Sequence, residues 1–264
     1  MTVKNLLLAM IAVVAAVAVA DDANKTLPVP LSKMAEFNAK TGGLVDPPAN
    51  AKSLVFLDAR TDRTPSLSNQ VTNVEMMLDF AIDLKLVSLD AKACPRKFAF
   101  DARKNGAGAV VLFYEREGDP VLSAYPEDAV VLINALALKA DKPDGRWLSR
   151  RVMTEFWRGI AFALGGYCIP GKMGGESMQP IFSLKDFERL NGAGLSPMQQ
   201  TAIANARLRL GIYSRNPVPY SRACREGWAP APTNDVQKRI YEQIKNPALR
   251  FKQDFKAAND PAKK

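Results

Sequence analysis

Four polar side chains offer this chain's best material for chemistry: Arg151, Thr154, Glu155 and Arg158. They lie in one apolar stretch, WLSRRVMTEFWRGIAFALGG, from Trp147 to Gly166. At about 100° per residue they form one narrow stripe on a helix. Arg151 sits four residues before Glu155 and Arg158 three after it, so both guanidinium groups are placed to pair with the carboxylate. A carboxylate so placed serves acid/base or glycosidic chemistry if a second carboxylate joins it, with Asp186, Glu188 and Glu176 as candidates. The chain contains no histidine. That absence removes Ser-His-Asp and Cys-His catalysis and imidazole ligands for zinc. Gly171 to Gly175 (GKMGG) follows no strand and lacks phosphate-loop spacing, so it reads as a flexible loop. Met173 and Met178 are too few for a metal-binding cluster and fit core packing.

The stripe needs a framework to hold it. Leu148, Val152, Phe156, Ile160 and Ala163, flanked by Met153, Trp157 and Leu164, make an apolar sector too wide for a half-exposed helix. The helix is therefore expected to be buried on most sides, with Gly165-Gly166 as its left-handed stop. Before it, Leu54–Leu57 (ending at Asp58), Leu86–Leu89, Ala107–Phe113, Val121–Tyr125 and Ala129–Leu138 read as strands. Helices are expected over Ser66–Leu84, with Ala81 and Ile82 on its inner face, and over Cys94–Asn105. After it come loop to Pro180, a helix from Ser183 to Leu190, and a helix opened by Ser196-Pro197 that runs to about Leu210. Proline-rich coil spans 217–233, and an amphipathic helix follows, capped by Thr233 or Asn234. The fold class is α+β: a small mixed β-sheet flanked by helices, in the order sheet, long central helix, methionine-containing turn, C-terminal helices.

Residues 1–20 read as a signal peptide, with Lys4, an apolar run and Ala18-Val19-Ala20 before Asp21. An uncleaved anchor is the competing reading, but the run is short for a bilayer. Residues 21–53 form an N-terminal arm, 54–258 a single α+β domain and 259–264 a disordered tail. The chain has 264 residues, 47% of them hydrophobic, and a formal charge of +9. From Gly211 onward eleven Lys or Arg face five Asp or Glu. A basic exported surface can meet anionic envelope polymers or another exported protein, the plainer reading being a solvated helix face with a frayed tail. Nucleic acid is not expected, because export removes it and no basic-aromatic array appears. Leader cleavage leaves no transmembrane span, and the chain is placed in the periplasm or outside the cell. Export permits disulfides. The odd count of Cys94, Cys168 and Cys224 allows one bridge, read as Cys168–Cys224, the alternative being three free thiols packed as small apolar residues.

The element order is similar to that of the metzincin metallopeptidases, the archaemetzincin-like members above all. Thr154-Glu155-Phe156-Trp157-Arg158 stands where their HExxH motif lies. Ser177-Met178-Gln179-Pro180 resembles their methionine turn. The resemblance implies that Glu155 occupies the general-base position, with Thr154 and Arg158 replacing the two zinc-binding histidines. Arginine carries a fixed positive charge and cannot ligate a cation, so no metal and no cofactor are expected. The reading is an exported, non-catalytic protein with a metallopeptidase-like layout and a binding or structural role. The alternative is a carboxylate-dependent hydrolase using Glu155. On the first reading Glu155 is a structural counter-ion whose removal lowers stability.

Overall fold

The computed structural model describes residues 43–169, 176–190 and 193–246. The leader, most of the N-terminal arm, Met173 and the C-terminal tail lie outside the described residues. The chain divides into two compact units, one of them Asp46–Val218. The span 54–258 expected as one domain therefore runs through both.

Asp46–Val218 is built on a five-stranded sheet. Its strands are β1 (Leu54–Asp58), β2 (Ile82–Leu86), β3 (Ala109–Tyr114), β4 (Leu122–Tyr125) and β5 (Val130–Asn134), in spatial order β2-β1-β3-β5-β4. β1 runs parallel to β2 and β3, with Leu54 opposite Ile82 and Ala109, and β3 runs parallel to β5. Only β4 is antiparallel, with Leu122 opposite Ile133. The sheet is mixed, as expected. Continuous apolar runs such as AVVLFY in β3, buried along its whole length, are what helices on both faces of a parallel sheet demand. Alternation sends Phe56, Val111, Phe113, Val131 and Ile133 to one core layer. Val55, Leu57, Val110, Leu112 and Leu132 go to the other.

The first layer packs under α1 (Ser68–Leu78), through Val71, Val74 and Leu78, and under the long α4 (Gly145–Ala163). The second packs under α2 (Pro95–Lys104). Two apolar runs divide differently from their periodicity. α1 stops at Asp79, which takes a left-handed φ of 53°. Ala81 and Ile82, expected inside that helix, instead lead into β2, so the second strand is 82–86 and not 86–89. Pairing with β1 decides it, because short apolar runs fit helix and strand alike. The run Ala129–Leu138 breaks at Asn134. The Asn134 side-chain oxygen accepts from Leu136 N at 3.2 Å, which starts the short helix α3 (Ala135–Leu138). Its amide donates to the carbonyls of Arg116 (2.7 Å) and Asp119 (2.9 Å), fixing the β3–β4 loop.

α4 begins under an Asp144 cap that accepts from Trp147 N at 2.8 Å, and Gly165 follows its end at φ 81°. Phe156 stacks on Phe56 with ring centroids 4.4 Å apart. At Gly159 the helix rests so closely on the sheet that a Cβ would lie 2.8 Å from Val111 and 3.1 Å from Ile133. The chain continues through a 3-10 turn at Glu176–Met178, the short α5 (Asp186–Arg189) and α6 (Pro197–Arg209). Met178 is fully buried in the α4 core layer, where core packing had been expected for it. Ser196 caps α6 by accepting from Gln199 N at 3.3 Å.

The described part of the second unit, 43–45 and 219–246, holds α7 (Tyr220–Glu226) and α8 (Asp235–Lys245). α7 falls within the stretch expected to be coil, because Pro219 sits just before the helix, where it is tolerated. Asn234 caps α8, accepting from Gln237 N at 2.9 Å. All three cysteines are free thiols, so the Cys168–Cys224 bridge is not formed. Cys168 Sγ instead lies 3.8 Å from an Arg158 nitrogen. No helix of the described residues is long and apolar enough to cross a membrane.

Candidate functional site

All four residues of the stripe are buried: Thr154 is 0% exposed, Arg151 and Glu155 1%, and Arg158 7%. Their partners differ from those that spacing alone suggests. Arg151 turns away from Glu155 and makes a bidentate pair with Asp141, at 2.6 and 2.8 Å, while donating to the Leu138 carbonyl at 2.9 Å. Asp141 lies in the turn between α3 and α4, where a planar guanidinium reaches both its oxygens at once. Glu155 is left with Arg158, whose Nε lies 3.0 Å from Oε1. That approach is a charge contact without hydrogen-bond alignment, since Nε has no accepted partner. The same guanidinium donates through NH1 to the carbonyls of Ser177 (3.2 Å) and Gln179 (3.0 Å), the two residues flanking Met178. Arg158 therefore clamps α4 to the Met178 turn.

Glu155 Oε2 and Thr154 Oγ1 are buried without a hydrogen-bond partner. Burial pushes the Glu155 carboxyl up to about 7, against the pull of Arg158. The sign of the consequence for stability follows directly. An acid that titrates higher in the folded state holds its proton after the unfolded chain has lost its own, so stability falls as pH rises from about 4.5 to about 7. We expect Glu155→Gln to match the parent at about pH 4.5 and to exceed it by about 1–3 kcal/mol at about pH 8. Urea denaturation at the two pH values measures this, and a variant clearly weaker than the parent at the higher pH would refute it. This predicted direction is opposite to the one expected for a simple stabilising counter-ion, because here burial opposes the charge more than Arg158 favours it.

Glu155 and Arg158 lie at the base of a cleft of about 510 Å³. One wall is the β4 side, with Pro120, Val121 and Leu122, and the other carries Ile181, Phe182, Leu184 and Phe187. Phe182 stands 91% exposed at the mouth. The second carboxylate of the cleft is Asp119, none of the three candidates read from the sequence. Asp186 accepts from Phe182 N at 2.9 Å and Ser183 N at 2.7 Å and so closes its own turn. Glu188 lies 4.0 Å from Arg151. The side chain of Glu176 lies outside what is described. Asp119 accepts from the Tyr114 hydroxyl at 2.9 Å, and burial followed by this bond holds that phenol above its usual range. The signal for Asp119 was the turn Gly118-Asp119-Pro120 between two strand runs, but nothing in it revealed that Asn134 ties this loop down beside the cleft.

Zinc does not fit these residues. Arg158 offers only donors, already directed at a carboxylate and two carbonyls, and Thr154 offers a neutral hydroxyl. Among the described residues no group of three or more His, Cys, Asp or Glu side chains converges to hold a metal ion.

No family model and no curated protein matches the chain. Among solved structures it is similar to the archaemetzincin of Methanopyrus kandleri, at 15% identity over 61% of this chain and 98% of that one, with a TM-score of 0.45. It is also similar to a zinc-dependent peptidase of Methanocorpusculum labreanum, at 14% identity over 57% of this chain and 98% of that one, with a TM-score of 0.43. Likeness at this level assigns no family.

Proposed function

We propose that this chain is an exported, non-catalytic protein with a metallopeptidase-like layout that holds an extended polypeptide segment in the cleft. The observation carrying this reading is the free edge of β4. Among the described residues β4 pairs only with β5, and its first residue Leu122, with Val121 just before it, lines the cleft. The Val121 carbonyl accepts from Asn134 N at 2.8 Å, so the alternate residues Leu122 and Ala124 turn their backbone groups away from β5. An edge with unspent donors and acceptors pairs with an incoming strand. The charges at the cleft, two carboxylates against one guanidinium, disfavour an anionic polymer there and favour another exported protein as the partner.

Ala124→Pro tests the reading. Proline removes a donor that the β4–β5 ladder does not use, so the fold is retained while an added strand loses a hydrogen bond. Binding to an array of unstructured peptides is expected to weaken about tenfold. Unchanged binding in a variant with parental circular dichroism would remove the edge from the account.

A second reading has its own support: Glu155, titrating at about 7, shares the cleft with Asp119. That is the pairing a carboxylate-dependent hydrolase uses. Turnover of a glycoside or peptide substrate, abolished by both Glu155→Gln and Asp119→Asn, would put this reading first.

A further inference from the structure

We infer that the cleft selects a primary amine on an aliphatic stem, a lysine side chain of the bound segment, whose ammonium group is received between Glu155 and Asp119. The inference deepens the polypeptide-binding reading and rests on it only for the word segment.

The base of the cleft presents an acceptor with nothing to accept from. Glu155 Oε2 is buried and unpartnered, and the nearest guanidinium is committed elsewhere, with Nε facing Oε1 and NH1 shared between two carbonyls. A buried carboxylate oxygen left this way is satisfied by a donor that arrives with the ligand. Charge points the same way. The charged side chains lining the cleft are Asp119 from the β3–β4 loop and Glu155 and Arg158 from α4, which leaves one positive charge missing when Glu155 is ionised. The walls supply what a methylene stem needs, since Val121, Leu122, Ile181 and Leu184 are aliphatic. A compact ammonium with three donors is able to divide between two carboxylates on different elements, and its slim stem suits an aliphatic-walled cleft.

Binding the cation also favours the ionised form of Glu155, so affinity should rise with pH through about 7. The charged group beside this carboxylate is Arg158 on its own helix, with Cys168 lying against Arg158, while Asp119 lines the same cleft with its carboxylate accepting from the Tyr114 hydroxyl. Arginine stays charged throughout this range, so the titrating member of the pair at the base of the cleft is Glu155.

The test titrates the mature full-length protein with N-acetyl-lysine methylamide and N-acetyl-norleucine methylamide, followed by calorimetry or amide chemical shifts. At about pH 8 the lysine probe should bind about tenfold more tightly than the norleucine probe, and the advantage should shrink to a few-fold at about pH 6. Glu155→Gln should erase the preference, and Asp119→Asn, at a half-buried loop position, should reduce it while sparing the fold. Equal binding of the two probes, binding of neither, or a preference that survives Glu155→Gln would each overturn the inference. The two proposals fail separately. Peptides that bind through the β4 edge without lysine preference remove only this inference. A lysine-selective cleft whose peptide binding ignores Ala124→Pro removes only the edge-pairing reading.

Discussion

Arg158→Met should weaken the fold by about 3–5 kcal/mol at about pH 8. The side chain is 7% exposed and serves three neighbours at once: the Glu155 carboxylate and the carbonyls of Ser177 and Gln179. Methionine roughly keeps the volume, so the loss reports the guanidinium and not a cavity. Two contributions separate by pH. At about pH 4.5 the folded protein carries Glu155 protonated, and only the carbonyl bonds are missed, at about 1–3 kcal/mol. At the higher pH the carboxylate has also lost the guanidinium beside it. Denaturation in urea at both pH values measures the two parts. An equal loss at both would show that the ion pair contributes nothing. Glu155→Gln changes stability in the opposite direction at the higher pH, so the two variants together test whether one partner of this pair holds the structure and the other strains it.

Phe156→Ala is the second large effect, at about 3–5 kcal/mol. Phe156 is 0% exposed, stacks on Phe56 at 4.4 Å and 14°, and meets Trp157 edge-on at 6.5 Å. Phe56 belongs to β1, which pairs on both sides, so the ring joins α4 to the middle of the sheet. Neither side can close the gap cheaply, because Gly159 already brings α4 onto Val111 and Ile133. Thermal unfolding should fall by about 2–4 °C for each kcal/mol in a unit of this size. Phe156→Leu should recover most of the loss. A drop of only a degree or two for the alanine variant would mean that the helix is anchored elsewhere.

Much of the fold could be read from residue patterns, and the reasons are physical. β3 is a run of apolar residues bounded by Gly108 and charged residues, and α4 has a full helical period with a glycine stop. In both, the local signal and the tertiary demand agree. The difficulties arose where two elements share one apolar run. Nothing in Ala81-Ile82 or in Asn134-Ala135 announces that a helix ends or a strand breaks, because pairing with β1 and the loop contacts of Asn134 decide it. The site was legible in part. Spacing put Arg158 next to Glu155, but gave Arg151 to the same carboxylate because the turn that carries Asp141 leaves no periodic trace. Asp119 was overlooked for a related reason: a carboxylate in a loop acquires its role only from what the loop is tied to.

Arg158 also constrains how this sequence is free to change. A histidine at that position supplies an imidazole and, in the same step, releases the Ser177 and Gln179 carbonyls that hold the Met178 turn. One side chain is thus asked to be both a ligand and a fastener, and a histidine that ligates keeps a single N–H for the two carbonyls. A substitution at 158 that would install a ligand therefore costs stability at once, whatever is changed at its neighbours. The guanidinium acts as a one-way valve in sequence space. Variation at the cleft walls stays open, while variation at 158 passes through a chain that has first lost its fastening.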